Sequence, residues 1–407
     1  MSALEAVAMP VRYMGTKRYL AADVRTAIES VTPSGSVVDL FSGIGAVASA
    51  LSPDHHVITN DALSFTTVLA RARFCRGRRT EFAHLLPSIR LRYREREQEL
   101  ETAHESVLAR ESVALKADWK TLATFMANYP HVGISSDARC MARICAVADT
   151  REKYSLATLY FAAGYFSVRQ SIQIDSLRYA IDQEAPCSVD WDWMIAAWLS
   201  AAATVMNAPG HTAQYLRVSG ELSQTRVRRA WSRDIWAVFT DRIIDMTQEG
   251  TQKWREGNMS CNADALKIIS SDALDGVGVV YADPPYTKDH YSRYYHVYET
   301  LYRYDYPAST GAGRYRNDRF VTDFSVKTKV QSAFEALASG VRARGIPLVL
   351  SYPDNGLLSL AGVNLLDLLT SHFTSVTLKS RPHSHSTLGA SGGEQKKRAV
   401  ENIYVCS

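Results

Sequence analysis

The sequence predicts an α/β protein: a doubly wound, mostly parallel sheet interrupted by a large helical insertion. Two stretches carry the sheet. Near the start, "VVDLF" (residues 37–41) is a short β-branched run that feeds the small-residue segment "SGIGAVASAL" (42–51), and "HVITND" (56–61) then feeds "ALSFTTVLARARF" (62–74). Strand, helix, strand, helix is how a parallel sheet begins. After residue 257 the pattern resumes with "GVGVVYADPPY", "IPLVLSY" (346–352), "SVTLKS" (375–380) and "AVENIYVC" (399–406).

Between them the texture changes. The segment 88–129 is rich in charge and almost free of Gly and Pro, which predicts one long helix or a helical hairpin. Segments 154–182 and 188–207 are apolar enough to pack inside a bundle. The expected organisation is a first catalytic part over 1–80, a helical insertion over 81–257 and a second catalytic part over 258–407. The patch "SHSTLGASGGEQKKR" reads as a loop before the last strand.

Composition excludes several classes. With 407 residues, 46% hydrophobic and 22% charged, the chain has the balance of a globular protein rather than a disordered or fibrous one. No apolar run is long enough to span a bilayer, and the first twenty residues lack the order of a secretory signal, so a cytoplasmic protein is expected. The six cysteines form no C-x-x-C pair; reduced thiols are expected and a structural metal is not. Net charge is only +4, so basic clusters matter more than the total. "RARFCRGRR" (71–79) and "RVRR" (226–229, with Arg226, Arg228 and Arg229) read either as solvated helix faces or as phosphate contacts.

Two motifs carry chemistry. In "DLFSGIG" an acid, Asp39, closes a strand, and Gly43 and Gly45 lie in the turn that opens a helix, where a ligand can approach the backbone closely. Gly43-x-Gly45-x-x-Ala48, with Asp61 downstream to take ribose hydroxyls, also meets a loose dinucleotide fingerprint. Asp39 tilts the reading toward a ligand bearing an ammonium group, such as the methionine moiety of S-adenosylmethionine, because it repels a pyrophosphate. The second motif, Asp283-Pro284-Pro285-Tyr286, ends an apolar strand with an acceptor, two residues that lack an N–H, and a flat ring. The Asp283 carboxylate, the carbonyl beside the prolines and a stacking ring suit a planar base with an exocyclic NH2. Asp-Pro also starts ordinary turns, so the tetrapeptide gains its meaning from the strand before it and from the glycine motif.

Together these motifs closely resemble the alpha-type, Dam-like DNA adenine-N6 methyltransferases, in particular the modification enzymes with a Tyr-His-x-x-Glu stretch after the catalytic motif. The resemblance covers most of the chain. "RYMGTKRYL" (12–20) resembles the motif that closes over the cofactor, with Tyr13, Gly15 and Lys17 in matching positions. "DLFSGIGAVA", with Asp39, Phe41, Gly43 and Gly45, resembles the methionine-binding motif, "TND" the ribose motif ending in Asp61, and "NADAL" the motif whose Asp264 reaches the cofactor's adenine. "YYHVYETLYRYD" (294–305), "PGHTAQYLR" (209–217) and "LSYPDNGLL" (350–358) match further stretches. Ile44 and Thr212 depart from the family's usual residues.

The resemblance implies a Rossmann-like class I S-adenosylmethionine-dependent methyltransferase sheet, with target recognition in the insertion. It implies double-stranded DNA as substrate, S-adenosyl-L-methionine as cofactor, no metal, and a cognate restriction endonuclease acting separately as a possible partner. Asp283, Pro284, Pro285 and Tyr286 would be catalytic; Arg226, Arg228, Arg229, Tyr295 and His296 are candidate DNA contacts, His296 equally readable as structural. Cytosine-N4 or RNA remains an alternative target, a non-catalytic DNA-binding subunit a third reading, and a nicotinamide dehydrogenase leaves Asp283–Tyr286 unexplained.

Overall fold

The computed structural model describes residues 11, 13, 18–75, 82–129, 151–186, 189–246, 248–385 and 397–407, and these fall into two compact units. One is built around a sheet and comprises Gly15–Cys75, Glu249–Tyr291 and Phe320–Ser407; the other, mainly helical, comprises Met1–Met14, Arg76–Gln248 and Ser292–Arg319. These units part the chain at other points than the expected boundaries: residues 249–257 group with the sheet, and 292–319 with the helices.

Among the described residues the sheet has seven strands: β1 (Val37–Asp39), β2 (Val57–Asn60), β3 (Met259–Cys261), β4 (Val279–Ala282), β7 (Leu348–Pro353), β8 (Val376–His385) and β9 (Lys397–Cys406), in the order β3-β2-β1-β4-β7-β9-β8. β3, β2, β1, β4 and β7 run parallel, whereas β9 is antiparallel to β7 and to β8. This order is consistent with the class I methyltransferase fold that the resemblance implies.

Its central strands are apolar runs because both faces are covered. On one face Val38, Val280, Ala282, Leu348 and Leu350 pack with Phe334, Leu337 and Leu369; on the other Val37, Val57, Val279, Tyr281, Val349 and Ile403 pack with Val24, Ile28, Phe74 and Trp254. Neighbouring residues along β4 and β7 thus alternate between two cores, as the two-residue period of a strand requires. β3 was not expected. It is an edge strand of three residues, none fully buried and Met259 exposed, so it leaves no apolar signature in the sequence. β8 runs past the expected residue 380 to 385, and most of the proposed loop (386–396) lies outside the described residues.

In the helical unit, the charged segment 88–129 is neither one helix nor a simple hairpin. It divides into helices Leu86–Ala103, Glu105–Lys116 and Trp119–Asn128, the last started by Asp118, whose side chain accepts the Thr121 N–H. The apolar segments form helices Val168–Glu184 and Val189–Val205, both largely buried. Asp175 explains one matched stretch. Fully buried, it accepts hydrogen bonds from the Ala157 and Thr158 N–H groups, the Thr158 hydroxyl and the Tyr304 hydroxyl, and Arg178 donates to the carbonyls of Leu301 and Tyr302. Residues distant in sequence are thereby locked into one unit, which the short hairpin of β5 (Ser309–Thr310) and β6 (Tyr315–Arg316) completes. Among the described residues no helix is long and apolar enough to cross a membrane.

Candidate active site

The strand order reverses between β1 and β4: from β1 the chain builds outward through β2 to β3, and from β4 through β7 to the antiparallel pair. In open α/β sheets the ligand crevice opens at such a switch point, outside the carboxyl ends of the strands. Asp39 ends β1, and Asp283 is the first residue after β4, the neighbouring strand, in a register that sets Asp39 opposite Tyr281. Both chemical motifs therefore meet at one edge of the sheet.

Asp39 is 2% exposed. Burial, foremost, then the charges of Asp283 and Asp61, push its carboxyl well above the usual carboxylate range, against one hydrogen bond from the Phe41 N–H at 3.3 Å. Two further carboxylates thus stand close enough to Asp39 to raise it. The concentration of negative charge suits a cation and disfavours a pyrophosphate, which weighs against the dinucleotide alternative. Among the described residues no group of His, Cys, Asp or Glu is arranged to hold a metal ion.

The glycine turn is held by Asp61. One carboxylate oxygen accepts the Gly43 N–H at 3.0 Å and the other the Leu63 N–H at 2.8 Å, and each keeps acceptor capacity for a ligand hydroxyl. Gly45 has no substitute: its φ is +77°, and a Cβ there would lie 2.3 Å from the buried Phe74 ring. Gly45→Ala is expected to cost roughly 1–3 kcal/mol from overpacking and about 1–2 kcal/mol from the left-handed backbone, read as a lower denaturant midpoint. Adding Phe74→Leu should recover only the steric part. Full recovery, or none, would contradict this division.

Behind the turn, Arg73 answers one question left by the basic cluster. It is 2% exposed, donates to the Ile44 carbonyl at 2.5 Å and to Ser49 Oγ at 2.7 Å, and pairs with Glu249 at 2.8 Å. It braces the turn rather than meeting phosphate; Arg76, Arg78 and Arg79 lie outside the described residues.

Sequence reasoning missed Asn60, the residue that joins three strand ends. Its Nδ2 donates to the Leu40 carbonyl at 3.0 Å and the Ala263 carbonyl at 3.1 Å, and its Oδ1 accepts the Ala263 N–H at 3.1 Å. The signal available was a buried amide ending an apolar strand directly before an acid. Asn60→Ala would strand the buried Leu40 carbonyl, worth about 1–3 kcal/mol, and remove two partly buried bonds to Ala263, so a fall in unfolding free energy of at least about 1–3 kcal/mol is expected. A loss within error of zero in urea titration would refute the tie.

Asp264 caps helix Ala265–Ile269 by accepting the Leu266 N–H, and its neighbour Asn262 donates to the Asp61 carbonyl. Phe41 meets Phe324 edge-on, and Tyr286 is partly buried against the same core, its carbonyl accepting the Leu357 N–H at 2.9 Å. That bond ties the 283–286 loop to the matched stretch 350–358. Pro284 is buried and Pro285 partly so. Gly15 and Lys17 lie outside the described residues.

Tyr13 belongs to the helical unit and stacks on Tyr295, ring centroids 4.3 Å apart. Tyr295 and His296 are fully buried there, so neither offers a surface to DNA. His296 contacts the Tyr165 hydroxyl at 3.3 Å, and burial pushes its imidazole down to about 3, leaving it neutral. Its role is packing, and the phosphate-contact reading fails on burial. Arg228 donates to the Ala117 carbonyl at 2.6 Å, at the end of a neighbouring helix, and Arg226 and Arg229 are exposed.

Residues 223–342, which include Asp264 and Asp283–Tyr286, match the family described as D12 class N6 adenine-specific DNA methyltransferase. The chain is 25% identical over 361 residues to the type II methyltransferase M.FokI of Planomicrobium okeanokoites, covering 86% of this chain and 45% of that protein. It is 22% identical over 332 residues to the modification methylase LlaI of Lactococcus lactis subsp. lactis (80% and 44%), and 21% over 357 residues to the modification methylase StsI of Streptococcus sanguinis (86% and 45%). The chain spans a little under half the length of these relatives.

Proposed function

We propose that the protein transfers a methyl group from S-adenosylmethionine to N6 of an adenine flipped out of a specific DNA sequence. The observation that carries this reading is the placing of Asp39 and Asp283 on either side of the switch point, with the Asp283-Pro284-Pro285-Tyr286 loop following β4. The order of cofactor motif, insertion and catalytic motif, with the Tyr-His-x-x-Glu stretch after it, corresponds to the alpha type. The family match and the modification-methylase relatives support the same class.

The residues fit the cofactor. Asp39 suits its ammonium group, Asp61 its ribose hydroxyls and Asp264 its adenine, while Gly43 and Gly45 admit it beside the backbone. When bound, it supplies an electrophilic methyl group on a sulfonium centre. The difficulty lies in the nucleophile, an amine whose lone pair is delocalised into the base. Asp283 and the Pro284 carbonyl accept its two N–H bonds, favouring a tetrahedral nitrogen with its lone pair aimed at the methyl carbon. The proton that the amine gives up on methylation would pass to water or to Asp283. Tyr286 stacks on the flipped base, a contact worth roughly 1–3 kcal/mol. The insertion serves target recognition, and a separately acting endonuclease would be the corresponding partner.

The test is transfer of labelled methyl to unmethylated DNA of mixed sequence, followed by nucleoside identification and mapping. N6-methyladenine at one sequence is expected. N4-methylcytosine would keep the chemistry and reassign the base; label on RNA alone would reassign the polymer; no transfer at all, with cofactor bound, would sink the reading.

A further inference from the structure

The helical unit holds a cavity of about 310 Å³ between helix Val189–Val205, helix Glu221–Trp231 and the stretch 206–216. Its walls include Thr204, Asn207, His211, Arg226, Arg229 and Arg233, and no aspartate or glutamate among the described residues. Several arginines elsewhere in the unit sit against acids: Arg92 with Glu184, Arg94 with Glu97, Arg169 with Glu101, Arg178 with Asp182, Arg242 with Asp245. Arg226 and Arg229 make no ion pair among the described residues. Concave walls bearing cations of one sign focus field on an anion.

The rest of the lining is built to donate. Arg233 is anchored by donating to the Thr204 carbonyl at 2.7 Å, at the end of its helix, which fixes the guanidinium and leaves further N–H groups to use. His211 accepts the Ala213 N–H at its Nδ1, and burial lowers its pKa, so the ring is neutral with its proton on Nε2. The neighbouring Thr212 is fully buried and bonded through both N–H and hydroxyl to the Tyr294 carbonyl, which pins the loop carrying His211. Forked guanidinium donors and an Nε2–H on fixed backbone suit a phosphate, since arginine's fork matches phosphate oxygens two at a time.

We infer that this cavity binds a phosphodiester group and, on the reading under Proposed function, a backbone phosphate of the substrate DNA. The matched stretch 209–217 thereby acquires a role, as the loop that presents His211. Arg226 and Arg229 become positioning contacts that hold the duplex in register without reading its sequence.

The test compares wild type, Arg226→Gln/Arg229→Gln and, as a control, Arg169→Gln, whose arginine is paired with Glu101. DNA affinity is measured across a salt series. Neutralising one phosphate changes the slope of log K against log salt by about 0.9. The double variant is expected to bind DNA about tenfold more weakly, on every sequence alike, with a slope shallower by about that amount and an unchanged melting temperature. Arg169→Gln should match wild type. A double variant with wild-type slope and affinity overturns the assignment even though the enzyme methylates DNA.

A second arm titrates inorganic phosphate and reads thermal protection. Protection of wild type but not of the double variant, with no change in DNA slope, would make the cavity a site for free phosphate and overturn the DNA contact. Should wild type neither bind nor methylate DNA, the proposed function fails, and the phosphate arm still decides the cavity.

Discussion

Asp283→Ala is expected to reduce methyl transfer at saturating cofactor and DNA by about 10²–10³-fold, on the scale of losing one preorganised contact to developing charge. The side chain would be an acceptor for the amine exactly where nitrogen gains positive charge, so its removal acts on the transition state more than on the bound ground state. The variant should remain folded. Asp283 follows β4 rather than building it, and its charge helps push the buried Asp39 out of the carboxylate range, so removing it relieves a repulsion. The expected pattern is therefore a large fall in kcat with a melting temperature equal to or above wild type. Asp283→Asn, which keeps one acceptor oxygen, should retain more activity than alanine. If alanine and asparagine lost activity equally, and both melted lower, Asp283 would be a structural residue of the loop. A fall confined to KM for the cofactor would instead make it a binding residue alone.

How far the sequence reveals this site follows from how locally each feature is encoded. β1, β2, β4 and β7 are legible because strands buried on both faces must be apolar throughout, and the acids at their ends stand out against such runs. β3 is not legible, since an exposed three-residue edge needs no apolar pattern; its place is set by pairing with β2 across some two hundred residues of sequence. The same distance hides Arg73. Within "RARFCRGRR" it looks like its neighbours, and only Glu249, far along the chain, makes it a buried brace. Tyr295 and His296 closely follow the 283–286 motif in sequence and invite a functional reading, yet both are buried in the helical unit. Their matched stretch is explained by packing, through the Tyr13 stack and the Tyr304–Asp175 bond. Asn60 is the instructive miss: three hydrogen bonds to strand ends outweigh its bland appearance in "TND".

Asp39→Asn is expected to act in opposite directions on stability and on cofactor binding. The Asp39 carboxyl is raised first by burial, then by Asp283 and Asp61, and only the Phe41 N–H opposes them. A carboxyl raised in the folded state binds its proton more tightly there than in the unfolded chain, whose value is about 3.9. Its contribution to stability is thus fully present below the unfolded value and is lost as pH rises through the folded one. Above that folded value the cofactor-free protein carries an ionised group that burial penalises. Asparagine removes that penalty while keeping an oxygen for the Phe41 N–H, so the free variant should melt higher than wild type at any pH above the folded value and show a flatter pH dependence between the two values. Binding should move the other way. A ligand with an ammonium group favours the ionised carboxylate, so wild-type affinity rises with pH across the Asp39 titration, and protons are released on binding below its raised value. The variant should bind at least tenfold more weakly, a loss of about 1.4 kcal/mol, with no such rise and no such release. Calorimetry in two buffers of different ionisation enthalpy measures the release directly, and differential scanning calorimetry of the free proteins measures the stability. A variant that is less stable when free would show Asp39 to be a structural acceptor. A variant that binds with wild-type pH dependence would place the ammonium elsewhere.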